Sequence, residues 1–157
     1  MSGSKSRLAS FLPYRMAITS NAVSGHIAGE YHEQFGLKIP EWRVMAILGD
    51  AGAVTQRDLV RATLMDKVAV NRACKALDER GFLQRSPNQA DGRSHHLELT
   101  AAGRALYDQI WPQANAACER IFAALTPREA DRLRELLDKL LHSVRAVESA
   151  EARRGRW

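Results

Sequence analysis

The apolar positions near the start of the chain recur every three or four residues. That spacing puts them on one face of a helix, so the pattern predicts a first helix from Leu8 to Phe35. A second helix opens at Pro40, because proline suits the first turn of a helix, and it ends near Gly52. Two amphipathic helices therefore precede the centre of the chain.

Two short helices follow, joined by a tight connection. Thr55–Asp58 has the pattern of a capping box, in which a hydroxyl and a carboxylate satisfy the free amides of a helix start. Asp66 suits the N-cap of the next helix, and Gly81 suits the left-handed position beyond its end. The short connection at Ala62–Met65 predicts a helix-turn-helix.

After Gly81 the apolar positions alternate instead of following a helical period. Phe82–Arg85 and His96–Leu99 predict two short strands. The segment between them, Ser86–Arg93, is rich in turn-forming residues and predicts a hairpin. A hairpin directly after the second helix of a helix-turn-helix defines a winged helix, with the hairpin as its wing.

Two further helices complete the pattern. Thr100 caps a fifth helix that runs to about Leu125, and Pro112 is expected to kink it. Thr126–Glu129 starts a sixth helix, whose apolar residues keep a clean helical spacing. One small core cannot cover the apolar stripes of the first, fifth and sixth helices, so we expect them to pack on a second copy of the chain.

The predicted fold class is mainly α with a small β-wing, a winged helix-turn-helix with long terminal dimerisation helices. We expect residues 8–36 to form an N-terminal helix within the dimerisation region. Residues 37–100 form the predicted DNA-binding domain, and residues 101–150 the C-terminal dimerisation helices. A monomeric helical bundle is the alternative arrangement.

Composition and charge limit which partners and which cellular location we expect for the chain. The 157 residues include 23 Lys and Arg against 18 Asp and Glu, a net charge of +5 that fits a phosphate-binding surface without establishing one. No apolar run approaches the roughly 20 residues of a membrane span, and no secretion signal is evident. We therefore expect a cytoplasmic protein with no membrane partner, in which Cys74 and Cys118 are reduced thiols.

The fourth helix divides into a core face and a polar face. The core face carries Val70, Ala73, Cys74 and Leu77. We expect the opposite face to bind DNA through Lys67, Val68, Asn71, Arg72 and Lys75. Asparagine pairs with an adenine edge and arginine with a guanine edge through two hydrogen bonds each, and valine can touch a thymine methyl. The two lysines suit phosphates. An ordinary solvated helix face is the competing interpretation.

The predicted wing extends this basic surface. Arg85 and Arg93 lie on the hairpin, and an arginine at a narrow tip can enter the minor groove, where the potential is most negative. Asp91 lies two residues before Arg93, where its carboxylate either braces the guanidinium or caps the turn. We therefore add these three residues to the candidate DNA-binding set.

Four segments, in this order and spacing, resemble the MarR family of bacterial transcription regulators: Asp66–Arg72, Leu77–Leu83, Asp91–Arg93 and Leu99–Gly103. The resemblance extends over roughly residues 10–147. It implies a homodimer joined by its terminal helices and bound to a pseudo-palindromic DNA operator. It also implies a minor-groove contact for Asp91 and Arg93. The chain departs from the family at Val68 and Ala69, where many members carry serine or threonine.

Phe11–Arg15 and Ile39–Val44 resemble a branch of the family whose members often control the catabolism of aromatic acids. Some of that branch respond to aromatic acyl-CoA thioesters, which implies a small-molecule effector between the dimer helices and the reading domain. The candidate ligand-binding residues are Tyr14, Arg15, His26 and Trp42. Arg15 suits a carboxylate or phosphate, and Trp42 suits stacking on a ring, although core packing also explains Trp42.

These patterns predict a DNA-binding repressor that is released from its operator by a small aromatic carboxylate or an aromatic acyl-CoA. One alternative is a thiol-redox-responsive regulator that uses Cys74 or Cys118. Another is a winged helix used for protein–protein interaction. The sequence has no phosphate-binding loop, nucleophile elbow or metal-ligand set, so we expect no enzyme activity, catalytic residue, metal or cofactor.

Overall fold

The computed structural model describes residues 7–154, which are mostly helical. In chain order the elements are α1 (Arg7–Ser10), α2 (Leu12–Phe35), α3 (Ile39–Ala51), β1 (Val54–Thr55), α4 (Gln56–Thr63), α5 (Lys67–Glu79), β2 (Leu83–Pro87), β3 (His95–Leu99), α6 (Ala101–Phe122) and α7 (Pro127–Arg154). The chain forms two compact units, one ending at Cys118 and the other beginning at Glu119. No helix in residues 7–154 is long and apolar enough to cross a membrane.

The predicted fold class is confirmed: α4 and α5 form a helix-turn-helix, and β2 and β3 form the wing behind it. Thr55 donates its N–H and its hydroxyl to Asp58 Oδ2 over 3.0 and 2.6 Å, and this capping box starts α4. Asp66 Oδ1 accepts the N–H of Ala69 at 2.8 Å and starts α5. Between the two helices, Leu64 adopts a left-handed φ of 52° that reverses the chain.

The sheet has one strand more than the sequence pattern predicted. Its antiparallel order is β1-β3-β2, and Leu97 of β3 pairs with Val54 on one side and Arg85 on the other. A strand of only two residues has too few positions to show an alternating pattern, so β1 was missed. It joins the wing directly to the start of α4, because Thr55 ends the strand and caps the helix.

The prediction of one uninterrupted first helix is wrong at its start. Phe11 is extended, with a ψ of 108°, and separates α1 from α2. Pro13 explains the break, because in a continuous helix it has no N–H to donate to the Ala9 carbonyl and its ring would clash with that carbonyl. The rest of the predicted helix is continuous as α2, which ends where Gly36 adopts a φ of 64°.

The core of the first unit lies between α3, α5, the sheet and α6. The inner face of α5 is buried as predicted, and it meets apolar side chains from each neighbouring element. The buried cluster consists of Tyr31, Leu37, Trp42, Val44, Met45, Leu48, Leu59, Val70, Ala73, Cys74, Leu77, Leu83, Leu97, Leu106, Ile110 and Ala114. Because the inner face of α5 is fixed in this cluster, its opposite face must point to solvent.

In the second unit, Thr126 caps α7 as predicted: its N–H and hydroxyl each donate to Glu129 Oε2 at 2.8 Å. Within the described length of α7 no side chain is buried. The apolar side chains are between 36% and 54% exposed, and they are Leu133, Leu136, Leu137, Leu140, Leu141, Val144 and Val147. A clean apolar stripe at helical spacing therefore faces solvent in the single chain.

The wing meets the first turn of α6 backbone to backbone. The Thr100 hydroxyl donates to the Gly81 carbonyl at 2.6 Å and accepts the N–H of Gly103 at 3.0 Å. A Cβ atom added to Gly103 would lie 2.0 Å from the Phe82 carbonyl oxygen, far inside van der Waals contact. Only glycine fits this contact, so Gly103 sets how closely α6 approaches the root of the wing.

We expect Gly103→Ala to lower the free energy of unfolding by about 1–3 kcal/mol or more, because backbone must move to admit the methyl group. Gly25→Ala is the matched control, since a Cβ at Gly25 meets nothing within 4 Å. That control should raise stability slightly, by up to about 1 kcal/mol, through better helix propensity. Urea denaturation measures both, and equal stability of the two variants would contradict the close-approach role of Gly103.

Candidate DNA interface

The structure brings the predicted reading residues together on one exposed face of α5. All five side chains point away from the core, and Val68 is 58% exposed at the first turn. The exposed set is Lys67, Val68, Asn71, Arg72 and Lys75. Lys75 lies 3.8 Å from Glu79 one turn later, but an ion pair this exposed is weak and a phosphate can replace it. The face combines an exposed amide and an exposed guanidinium, Asn71 and Arg72, with flanking lysines.

The tip of the wing is a closed hydrogen-bonded turn. Asn88 donates its N–H to the Ser94 carbonyl at 3.1 Å and its side-chain amide to Ser94 Oγ at 2.9 Å. Asp91 Oδ1 accepts the N–H of Arg93 at 3.1 Å. Of the two roles considered for Asp91, the structure shows the turn cap and not a brace on the guanidinium. This cap holds the backbone of Arg93 while its side chain is exposed.

Arg85 is placed differently from a free phosphate ligand. Its Nε donates to Asp78 Oδ2 at 3.3 Å, which joins β2 of the wing to α5. Its side chain is 35% exposed and still lines the surface between the wing and the reading helix. Because a guanidinium has five N–H groups, Arg85 can keep this ion pair and still donate outward.

A cleft of about 650 Å³ lies between α4, the start of α5 and the wing. Five basic side chains from these three elements line it: Arg57, Arg61, Lys67, Arg85 and Arg93. Sequence reasoning missed Arg57 and Arg61, although their spacing of four residues puts them on one face of α4. The two arginines lie on α4, outside the reading helix, and their spacing does not show that α4 faces the wing. Only the fold shows this.

The charge of the cleft favours a polyanion. Against its five cations stand two carboxylates, Asp58 and Asp91, and each of them accepts capping hydrogen bonds from its own turn. The hydroxyl and the N–H of Thr55 lower the pKa of Asp58, so this carboxylate stays ionised and bound to Thr55. The lining therefore keeps a net positive charge that suits phosphate groups, although Asp78, outside the cleft, pairs with one of its cations, Arg85.

The candidate ligand-binding residues do not enclose one cavity in the single chain. Tyr14, Arg15 and His26 are exposed along α2, and Arg15 Nη1 donates to the Ala9 carbonyl at 3.3 Å. Trp42 is buried, and core packing explains its position. Its ring lies in an aromatic stack, 5.2 Å from Tyr31, 6.0 Å from Tyr107 and 6.5 Å from Trp111.

The two cysteines have unequal environments. Cys74 is buried on the inner face of α5, and burial raises the pKa of its thiol to about 11. A redox-sensing cysteine needs an accessible thiol with a lowered pKa, so Cys74 does not fit that role. Cys118 is half-buried.

A helix-turn-helix with a hairpin wing and a basic cleft between them defines a winged-helix protein of the DNA-binding type. The family model described as the MarR family matches residues 35–94. The transcriptional repressor Rv2887 of Mycobacterium tuberculosis is 30% identical over 105 residues, which cover 67% of this chain and 76% of that protein. The chain belongs to the MarR family of transcription regulators.

Solved structures agree with this assignment. The MarR-family regulator SPO1453 of Silicibacter pomeroyi is 31% identical, with a TM-score of 0.74 over 87% of this chain and 97% of its own. BpsR of Bordetella bronchiseptica, whose DNA binding is regulated by 6-hydroxynicotinic acid, is 26% identical, with a TM-score of 0.75 over 84% of this chain and 94% of its own. The winged-helix architecture is thus shared over most of each chain.

Proposed function

We propose that the chain is a repressor that binds a pseudo-palindromic operator as a homodimer and leaves it when a small aromatic carboxylate or aromatic acyl-CoA binds. The basic cleft carries the DNA-binding part of this proposal. It joins cations of α4, the reading helix and the wing on one surface, as a protein that follows a curved phosphate backbone requires. Relatives that are described as transcriptional repressors support the proposal that the chain represses transcription.

Each element of this surface has a distinct proposed task. The exposed face of α5 enters the major groove, where Asn71 and Arg72 pair with base edges. Arg57 and Arg61 of α4 bind phosphates on the groove edge. Arg93 of the wing enters the adjacent minor groove, since its backbone is held at the tip and its side chain is exposed.

We expect Arg93→Ala to weaken binding to the DNA upstream of the chain's own gene by roughly 1–3 kcal/mol for each half-site, about five- to 150-fold per half-site, because one arginine contact is lost in each. Arg128→Ala, which removes an exposed arginine of α7, is the matched control and should leave affinity unchanged. Gel shifts at several salt concentrations measure both.

The unaltered protein should bind with a steep salt dependence, because phosphate contacts release counterions. Equal affinity of Arg93→Ala and the unaltered protein would contradict the wing contact. Absence of any salt-dependent DNA binding would instead favour a winged helix that serves protein partners.

The proposed homodimer rests on the exposed apolar stripe of α7. Seven aliphatic side chains on one stripe of a helix are unfavourable in water, and a second copy offers a self-complementary apolar surface. In this proposal residues 8–36 and 101–150 form the dimerisation region and residues 37–100 the DNA-binding domain. Two reading helices would then face two half-sites of the operator.

We expect the double substitution Leu137→Asp and Leu140→Asp to produce monomers, because it puts two charges on the apolar stripe. His142→Asp is the matched control, since position 142 lies on the opposite side of α7 from that stripe and is exposed. Light scattering after size-exclusion chromatography gives the mass of each. A dimeric double variant would overturn the proposed interface.

The proposed effector site uses α2 and the aromatic stack. Tyr14, Arg15 and His26 are exposed on α2, where a second copy can cover them. Trp42 is buried, so it would act through the stack that ends at Trp111, which is 48% exposed. The relative BpsR responds to 6-hydroxynicotinic acid, an aromatic carboxylic acid, which supports this class of effector and a carboxylate partner such as Arg15.

We expect an aromatic acid or its thioester to release the preformed DNA complex; the probes are 6-hydroxynicotinate, benzoate and benzoyl-CoA. Acetate and free coenzyme A are the controls and should not release it. Arg15→Gln should bind DNA normally but lose the response, whereas Arg7→Gln, an exposed arginine on α1, should keep it. Failure of all three aromatic probes would count against this effector class, and a full response in Arg15→Gln against the role of Arg15.

A further inference from the structure

Arg80 directly follows the reading helix, but its side chain binds the end of another helix. Its Nη2 donates to the Phe35 carbonyl at 2.7 Å, and its Nη1 donates to the Gly36 carbonyl at 3.3 Å. The guanidinium also lies 4.9 Å from the centre of the Phe82 ring. Arg80 therefore connects three segments: the end of α2, the end of α5 and the root of the wing.

The end of α2 needs such a partner. The last carbonyls of a helix have no intrahelical donor, and the helix dipole makes that end negative. Gly36 ends α2 by adopting a left-handed backbone conformation, and its N–H donates to the His32 carbonyl at 2.9 Å. The carbonyls of Phe35 and Gly36 are then satisfied by the cationic fork of Arg80, a residue 45 and 44 positions away in sequence.

The backbone of Arg80 is itself part of the end of α5. Its N–H donates to the Ala76 carbonyl at 3.3 Å, and the next two residues donate back to Asp78 and Leu77, both at 2.9 Å. One residue thus ends the reading helix with its backbone and caps α2 with its side chain. These hydrogen bonds link the two helix ends, so a shift of one end relative to the other must break them.

We propose that Arg80 is a positioning residue for DNA reading, which fixes the C-terminal end of the reading helix to that of α2. This inference rests on the proposed DNA-binding function. Its consequence is that a displacement of α2, which carries the proposed effector residues Tyr14, Arg15 and His26, passes to α5 through this clamp.

A direct contact with a DNA phosphate explains the position of the Arg80 side chain less well than the positioning role does. It lies 13 positions after Lys67, about 20 Å along the axis of α5 at the usual helical rise, and it is not among the residues that line the basic cleft. Its Nη1 and Nη2 each donate one hydrogen bond to a carbonyl of α2, which places the guanidinium at that helix end. Arg80 therefore affects DNA through the orientation of α5.

Arg104 provides a matched comparison with the same chemistry. Its Nη1 donates to the Gly49 carbonyl near the end of α3 at 2.7 Å, and its guanidinium lies 5.5 Å from the centre of the Tyr107 ring. It belongs to α6, however, and does not touch the reading helix in these contacts. Loss of Arg104 should reduce stability without changing how α5 is oriented.

The test compares Arg80→Gln, Arg80→Lys and Arg104→Gln in the full chain. Operator DNA and random-sequence DNA are titrated over a range of salt concentrations. We expect Arg80→Gln to lose about tenfold or more in operator affinity with random DNA nearly unaffected, which lowers the specificity ratio. The dependence of affinity on salt should not change, because no phosphate contact is lost. Arg104→Gln should keep the specificity ratio.

Hydrogen exchange without DNA gives an independent measurement. Arg80→Gln should accelerate exchange of the amides in residues 32–37 and 76–80 together, while Arg80→Lys, which keeps the charge but loses the planar fork, should give an intermediate effect. If Arg80→Gln does not fold, the lysine variant decides by the same measurements.

Three results would overturn the inference. The first is an equal loss on operator and random DNA with a salt slope lowered by about 0.9 for each half-site, which marks a phosphate contact in each protomer. The second is unchanged exchange and unchanged specificity in Arg80→Gln, and the third is the same specificity loss in Arg104→Gln. An unaltered protein that does not prefer its operator contradicts the proposed function instead, and exchange at the two helix ends then decides on the clamp alone.

Discussion

Burial of one face of α5 is the constraint on which the rest of the molecule depends. Val70, Cys74 and Leu77 lie in the main apolar cluster with no exposed surface, and moving them into water would cost several kcal/mol. Since a helix is rigid, that burial also determines which side chains face outward. The exposed face that we propose reads DNA is therefore a consequence of the core, and the wing and α4 are arranged around a helix that cannot rotate.

Local signals predicted much of this fold. The capping residues Thr55, Asp66 and Thr126 act within three residues of themselves, so their sequence pattern is sufficient to locate three helix starts. The two faces of α5 and the wing hairpin follow from periodicity for the same reason. The break at Phe11 was missed although Pro13 marks it, because the apolar stripe continued across the proline.

What the sequence could not provide is contact between distant segments. From the sequence alone, Arg57 and Arg61 look like part of an ordinary solvated face of α4. The fold places them across a cleft from the wing. The Asp78–Arg85 ion pair and the cap that Arg80 places on α2 likewise join segments by packing, not by spacing. No local pattern encodes such pairs. The sequence therefore predicts which face of α5 is exposed, and it misses the contacts where several elements meet.

The hydrogen bonds within the wing tip have a consequence for kinetics. A loop that must become ordered when it meets DNA loses conformational entropy at that moment, and its association slows accordingly. Here the bonds among Asn88, Asp91, Arg93 and Ser94 already order the tip before any encounter. The conformational entropy of the tip is therefore lost when the chain folds and not when it binds DNA. In the proposed complex, association of the wing with DNA then depends on diffusion and charge and not on ordering of the tip.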